Sequence, residues 1–240
     1  MLKAFAEYLV SLKDNKLYTI NGETYSDNRL NRIAPHIPRP ERIAVKGLDS
    51  IVSLTRREIS RLPAEALPIF IQVCDARRVN VFSGLDSDMM RYDLYCGVCD
   101  APEFKPGWRD YNTAIIELRS MFKENEGSAY LLDLLSRISK EDGVTTTDNG
   151  VTQQVEARSG IALKAKESIR PRVKLIPFRT FTEVEQPESE FLTRVDDNGN
   201  IGFFEADGGA WALAAKDNIA RYISTMLSAL IDDGSVVVLV

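Results

Sequence analysis

Histidine is nearly missing from this chain: His36 stands alone among 240 residues. One imidazole cannot supply the paired ligands of common zinc sites. His-dependent nucleophilic catalysis would also have to rest on this residue, set in a linker between Pro35 and Pro38. His36 therefore reads as structural, and an enzyme built on this chain would need carboxylate or lysine chemistry. Cysteine is scarce as well. Three residues, an odd number, fit a reducing cytosol better than a disulfide framework. No apolar run approaches ~20 residues, so no membrane-spanning helix is expected. The opening Met1-Leu-Lys-Ala-Phe5 lacks the apolar core and cleavage site of a signal peptide. Positive charge is not in excess: 30 Lys and Arg against 35 Asp and Glu give a net charge of −5, which disfavours a broad non-specific grip on duplex DNA. The patterns GxxxxGK[ST], GxGxxG, GxSxG and HExxH are all absent, which removes most of the expectation for each corresponding enzyme class.

What is present is an ordinary water-soluble composition, 44% hydrophobic and 27% charged. The length allows one large domain or two small ones. Leu2, Phe5, Leu9 and Leu12 are spaced as a short amphipathic helix, and Asn21-Gly22 suits the two-residue turn of a hairpin. Ala34–Pro40 holds three prolines and reads as an extended linker. A helix capped by Asp49 or Ser50 should follow, then strands at 68–75, 78–83 and 92–100. Asp110 caps a further helix that Gly127 interrupts. A second helix carries Leu131, Leu134, Leu135 and Ile138 and stops at Gly143. Residues 145–150 make the best internal boundary. Beyond them come strands 151–158, 172–181, 191–195 and 201–205, a turn at Asp196–Gly199, and a long helix from about Ala210. Val236–Val240 is either a last strand or an apolar tail that docks on a neighbour. The expectation is an α+β fold of two strands-then-helix halves, with mostly antiparallel sheets covered by helices. The segments are 1–40 (helix, hairpin, linker), 41–146 and 147–240, the last two being separate halves or one compact body.

The candidate site centres on the basic strand that begins at Arg170. Alternation sends Arg170, Arg172 and Lys174 to one face and Val173 and Leu175 to the other. Pro171 and Pro177 bracket the run, which marks an edge strand or one ended by a bulge. Asp207-Gly-Gly-Ala-Trp211 places Gly208 and Gly209 at a helix start, where free N–H groups and the helix dipole favour an anion. The alternative is that Asp207 caps its own helix. In the binding reading Arg170, Arg172, Lys174 and Arg179 supply charge for a phosphate, and Phe178, Phe181 or Trp211 supply a stacking surface. Glu183, Glu185, Glu188 and Glu190 read as a solvated loop or a partner for the basic strand rather than a cation site. Cys96-Gly-Val-Cys99 resembles a metal spacing, but residues three apart on a strand face opposite ways, so no metal is expected there.

Phe178–Phe191 and Phe203–Trp211 resemble a family of uncharacterised proteins from phages and prophages of Gram-positive bacteria and, more distantly, YfdQ-like prophage proteins. Ile20–Ser26, Arg78–Ser83 and Asp148–Val155 fit the same likeness, which spans nearly the whole chain. It implies a phage-encoded protein in the bacterial host cytoplasm and carries no known reaction or catalytic residue. The residues and the likeness together lead to the expectation of a non-enzymatic homo-oligomer, with no cofactor, that binds an anionic ligand. Its most concrete form is a nucleotide-type signal sequestered from a host defence system. The alternatives are an accessory protein that holds single-stranded nucleic acid during phage recombination or replication, and an inhibitor that clamps a host protein.

Overall fold

A computed structural model of the chain describes residues 3, 5, 7, 8, 17–20, 23–26, 40–86, 89–137, 143–148, 153–159, 162–196 and 198–240. The chain forms two compact units, 1–40 and 41–240. In the first, Lys3, Phe5, Glu7 and Tyr8 are helical, while Leu2, Leu9 and Leu12 lie outside the described residues. Strands β1 (Leu17–Ile20) and β2 (Glu23–Ser26) pair antiparallel with Ile20 opposite Glu23, as a two-residue Asn21-Gly22 connection requires. The linker from Ala34 lies outside the described residues as far as Pro40.

The second unit is an α+β body built on two five-stranded sheets. Sheet I comprises β3 (Ile43–Lys46), β4 (Ile69–Asp75), β5 (Arg78–Phe82), β6 (Asp93–Val98) and β15 (Val236–Leu239), in the order β15-β4-β5-β6-β3. Its three central strands form an antiparallel meander, and each edge strand runs parallel to its neighbour. Alternation along β4 buries Ile69, Ile71 and Val73, and along β5 it buries Val79 and Val81. Two helices cover that side. Helix α1 (Leu48–Ile59) brings Leu48, Ile51, Val52 and Thr55, and α4 (Ala210–Met226) brings Ala215, Ile219, Ala220 and Ile223, both stripes at helical spacing. Tyrosines fasten α1 at both ends. Tyr95 of β6 donates to Glu58, and Tyr222 of α4 donates to Asp49. Burial first, then the Glu58 carboxylate, raises the Tyr95 pKa to about 12. At Tyr222 the bond to Asp49 leads the same rise, also to about 12.

Sheet II is wholly antiparallel, with β7 (Gly107–Arg109), β8 (Phe122–Lys123), β12 (Arg172–Pro177), β13 (Ser189–Val195) and β14 (Ile201–Glu205) in the order β7-β14-β13-β12-β8. Helices α2 (Tyr111–Ser120) and α3 (Glu126–Arg137) close its inner face over Phe104, Val173, Leu175, Phe191, Val195, Ile201 and Phe203. A three-stranded meander, β9 (Gly143–Asp148), β10 (Gln153–Ser159) and β11 (Ala162–Ile169), joins it where the Gln153 amide exchanges hydrogen bonds with the backbone of Val195 at 2.6 and 2.9 Å. A short helix α5 (Ser228–Asp232) precedes β15.

Residues 41–146 and 147–240 share both sheets, since sheet I takes β15 from the second and sheet II takes β7 and β8 from the first. Other expectations change. The boundary expected at 145–150 is largely occupied by β9, whose three β-branched threonines suit a pleated strand. Strand β11 was not expected, since its lysines and alanines carry no clean alternation. Gly127 does not break a helix but lies inside α3. A methyl there would sit 2.0 Å from the Lys174 carbonyl oxygen, so glycine lets the helix backbone lie directly on β12. Helix α1 begins at Leu48, before Asp49 or Ser50, because the Glu183 carboxylate accepts the Leu48 N–H at 2.6 Å. Asp110 does cap α2, accepting from Asn112 and Thr113.

Candidate functional site

The expected basic strand divides at Pro177. Up to that residue β12 alternates as its sequence demands, with Val173, Leu175 and Pro177 buried and Arg172 and Lys174 on the outer face. Arg170 lies on the same side of a hollow of about 290 Å³ that is also lined by Asn125, Gly127 and Glu188. Each cation there already has an acidic partner. Arg170 pairs with Glu126 at 3.2 Å, Arg172 with Glu190 at 2.7 Å, and Lys174 with Glu188 at 3.0 Å. The Lys174 pKa is raised, first by its hydrogen bond to Glu188. Two members of the acidic run thus serve the basic strand, and Glu183 serves α1.

After Pro177 the chain leaves sheet II and crosses to sheet I. The expected strand 172–181 therefore ends four residues early. Phe181 is buried in the core of sheet I, and the Thr180 hydroxyl donates to the Ala76 carbonyl at 2.5 Å. Arg77 ties the crossing down, donating to the carbonyls of Arg179 at 3.3 Å and Ala101 at 2.6 Å. Phe181 is therefore not available for stacking a ligand, a correction that follows from its place in the core.

Arg179 turns inward rather than joining Arg170, Arg172 and Lys174. Only 2% exposed, it donates to Glu205 at 2.5 Å and to the Ser189 hydroxyl, and its guanidinium lies 3.8 Å over the Trp211 ring. Burial lowers its pKa, and the charges of Glu205 and Asp207 oppose the shift. Asp207 accepts from the N–H groups of Gly209 at 3.0 Å and Trp211 at 3.3 Å and from Ser189 at 2.7 Å. Burial alone would raise its pKa, but these hydrogen bonds and Arg179 outweigh burial and hold the carboxyl below its usual range. Gly208 and Gly209 are exposed at φ 64° and 84°, the left-handed turn into α4. The helix tip is thus served by the chain's own aspartate, the alternative weighed for Asp207. Arg179, Gly209 and Trp211 do converge, but on Glu205, Ser189 and Asp207, where two carboxylates already answer the one guanidinium.

The face of sheet I opposite α1 and α4, which no helix covers among the described residues, offers a different arrangement. Strand register places Phe70 beside Phe82, and Gln72, Asn80 and Cys96 in one row across β4, β5 and β6. The two phenyl rings lie 5.5 Å apart and 21° from parallel. Arg91 donates to the Ser83 carbonyl at 3.0 Å, which holds its guanidinium 5.3 and 5.4 Å from the two ring centroids. Phe70, Gln72, Asn80, Phe82 and Arg91, with Arg42, Asp93 and Leu239, line a hollow of about 530 Å³. Its charge balance differs from that of β12. Arg42 reaches Asp93 at 3.5 Å, whereas Arg91 and the exposed Arg78 on the same strand face have no carboxylate partner among the described residues. The Asn80 Oδ1 acceptor is buried beneath this face and has no hydrogen-bond partner among the described residues.

Sequence reasoning did not single out Phe70, Phe82 or Arg91. The signal was the period-two alternation of 69–75 and 78–82, which sends Phe70, Gln72, Asn80 and Phe82 away from Ile71, Val79 and Val81. What alternation cannot say is that both helices pack on one side and that, among the described residues, no helix packs on the other. Cys96 lies on this second side, while Cys99 belongs to the helix-covered core. Among the described residues no group of His, Cys, Asp and Glu is arranged to hold a metal ion, and no helix is long and apolar enough to cross a membrane. Compared with protein-family models, curated proteins and solved structures, the chain matches none of them.

Proposed function

We propose that this chain is a non-enzymatic binding protein that holds a nucleotide-type ligand, an aromatic base with an attached phosphate, on the uncovered face of sheet I. The observation that carries this reading is the Phe70–Phe82 pair with Arg91 fixed over both rings and, among the described residues, no carboxylate paired with it. Each base stacked on such a platform contributes about 1–3 kcal/mol, and Arg91 and Arg78 offer charge for phosphate. Gln72, exposed beside Asn80 in register, carries an amide donor and acceptor for base edges. The cations of β12 support an anion site less well, because Glu126, Glu190 and Glu188 already balance them.

A free nucleotide and a single nucleic-acid strand share this chemistry. The likeness of Phe178–Phe191 and Phe203–Trp211 to phage and prophage proteins supports a bacterial host as the setting. There a host nucleotide signal or a replication intermediate would present such a ligand. The test is a titration of the purified protein with a labelled oligothymidylate and, separately, with a panel of mononucleotides and cyclic dinucleotides, each at low and moderate salt. Binding of the oligomer alone, falling steeply with salt, identifies a strand binder. Binding of a small nucleotide with a shallow salt response identifies a nucleotide binder. In either case Phe82→Ala and the exposed Arg91→Glu should each weaken binding about tenfold or more. No binding in either arm, or affinity unchanged by both substitutions in folded protein, overturns the proposal.

A further inference from the structure

We propose that β15 pairs antiparallel with the β15 of a second copy of this chain, joining two copies of sheet I into one continuous sheet. The two edges of sheet I are built differently. Strand β3 is flanked by Pro40, and its surroundings carry the ion pairs Arg42–Asp93 and Lys46–Asp100, devices that keep a sheet edge from recruiting another strand. Strand β15 carries none of them. Residues 236–240 are Val-Val-Val-Leu-Val, without charge, proline or glycine, and the outer side of β15 pairs with no strand among the described residues.

The occupant follows from self-complementarity. About a two-fold axis at Val238, Val238 faces its own copy, Val237 faces Leu239, and Val236 faces Val240. Each pairing keeps its residues on the same side of the sheet: Val236 and Val238 lie with the helix-covered core, and Val237 and Leu239 with the uncovered face. An isologous contact of this kind sets apolar groups against apolar groups and opposes no like charges. Leu239 and Val240, 38% and 61% exposed in the single chain, would be covered. Because Leu239 also lines the hollow over Phe70 and Phe82, the joined sheet places two such hollows side by side, about 20 Å apart at ~4.8 Å per strand.

A five-residue edge contact is small beside the roughly 1,600 Å² of a standard interface, so association should depend on concentration up to about 100 µM. Sedimentation velocity over that range, without nucleotide, should show the mass moving from one copy toward two. Under mild oxidation Val238→Cys should trap a disulfide-linked dimer that wild type, with its own Cys74, Cys96 and Cys99, does not form. Leu239→Lys, at an exposed position, should hold the protein at one copy while leaving far-UV circular dichroism and the unfolding midpoint unchanged. A wild type that stays at one copy throughout, or a dimer that neither cross-links through Val238→Cys nor responds to Leu239→Lys, overturns the proposal. Since no ligand is present, these outcomes are separate from those of the nucleotide titration.

Discussion

Arg179 heads the largest fully buried side chains described in this fold, and its charge is answered on every side but one. Glu205, Ser189 and Asp207 form its polar shell, Trp211 and Phe191 its apolar one, and its Nε has no partner among the described residues. Removing the guanidinium would leave Glu205 and Asp207 as neighbouring carboxylates without a cation. Breaking a buried pair from one side costs about 3–5 kcal/mol. Glu205 keeps 27% of its side chain exposed, which places Arg179→Met near the lower end, at about 3 kcal/mol in urea unfolding. Arg179→Lys should recover only part of the loss, because an ammonium cannot both fork toward two acceptors and lie flat on an indole. The sequence showed the charge of Arg179 but not its burial. Alternation stops being informative once Pro177 ends the strand, and a guanidinium in a crossing segment reads the same as one on a surface.

At the scale of elements, close approach matters as much as propensity. Helix α3 lies so near β12 that a methyl at Gly127 would meet the Lys174 carbonyl oxygen at 2.0 Å and the Val173 side chain at 2.8 Å. In an isolated helix Gly→Ala would stabilise by about 1 kcal/mol. Here the helix must shift off the strand, and overpacking of this kind costs about 1–3 kcal/mol. Gly127→Ala should therefore lower the unfolding midpoint despite the better helix former, and a raised midpoint would contradict the packing described. Most strands could be read from alternation, because β4, β5, β12 and β13 each bury every second residue. β3, β7 and β8 could not, being two to four residues long and strands only by virtue of their neighbours.

Residues 41–240 are held by hydrogen-bonded carboxylates, local and distant in sequence, as well as by two cores. Asp207 closes α4 onto Ser189, and Asp196 shapes the turn between β13 and β14 through Asn198 and Asn200. At Asp196, as at Asp207, burial raises the pKa and the hydrogen bonds outweigh it. At Asp233 the Ser235 bonds lead, and all three end below the ordinary aspartate value. A carboxyl depressed in the folded state binds its proton more readily when unfolded. Its contribution is therefore fully present above about pH 4 and is lost as pH falls through the folded value. Stability in urea should be level between about pH 5 and 9 and decline below about pH 4. Asp207→Asn should flatten that decline as well as lowering the plateau, and a variant that keeps the full acid slope would assign it elsewhere.

The sequence by itself determined the α+β class, most strand positions, the Asp110 and Asp196 turns and the helical stripes of α1 and α4. These are written in local periodicity and turn chemistry, which need only the nearest few residues. Tertiary structure alone decided which cations stay open. Glutamates up to 44 positions away pair with Arg170, Arg172 and Lys174. Both helices of sheet I lie on one side and leave Phe70, Phe82 and Arg91 on the other. Such choices depend on where distant strands meet, and no local pattern encodes which of two amphipathic faces will find a cover.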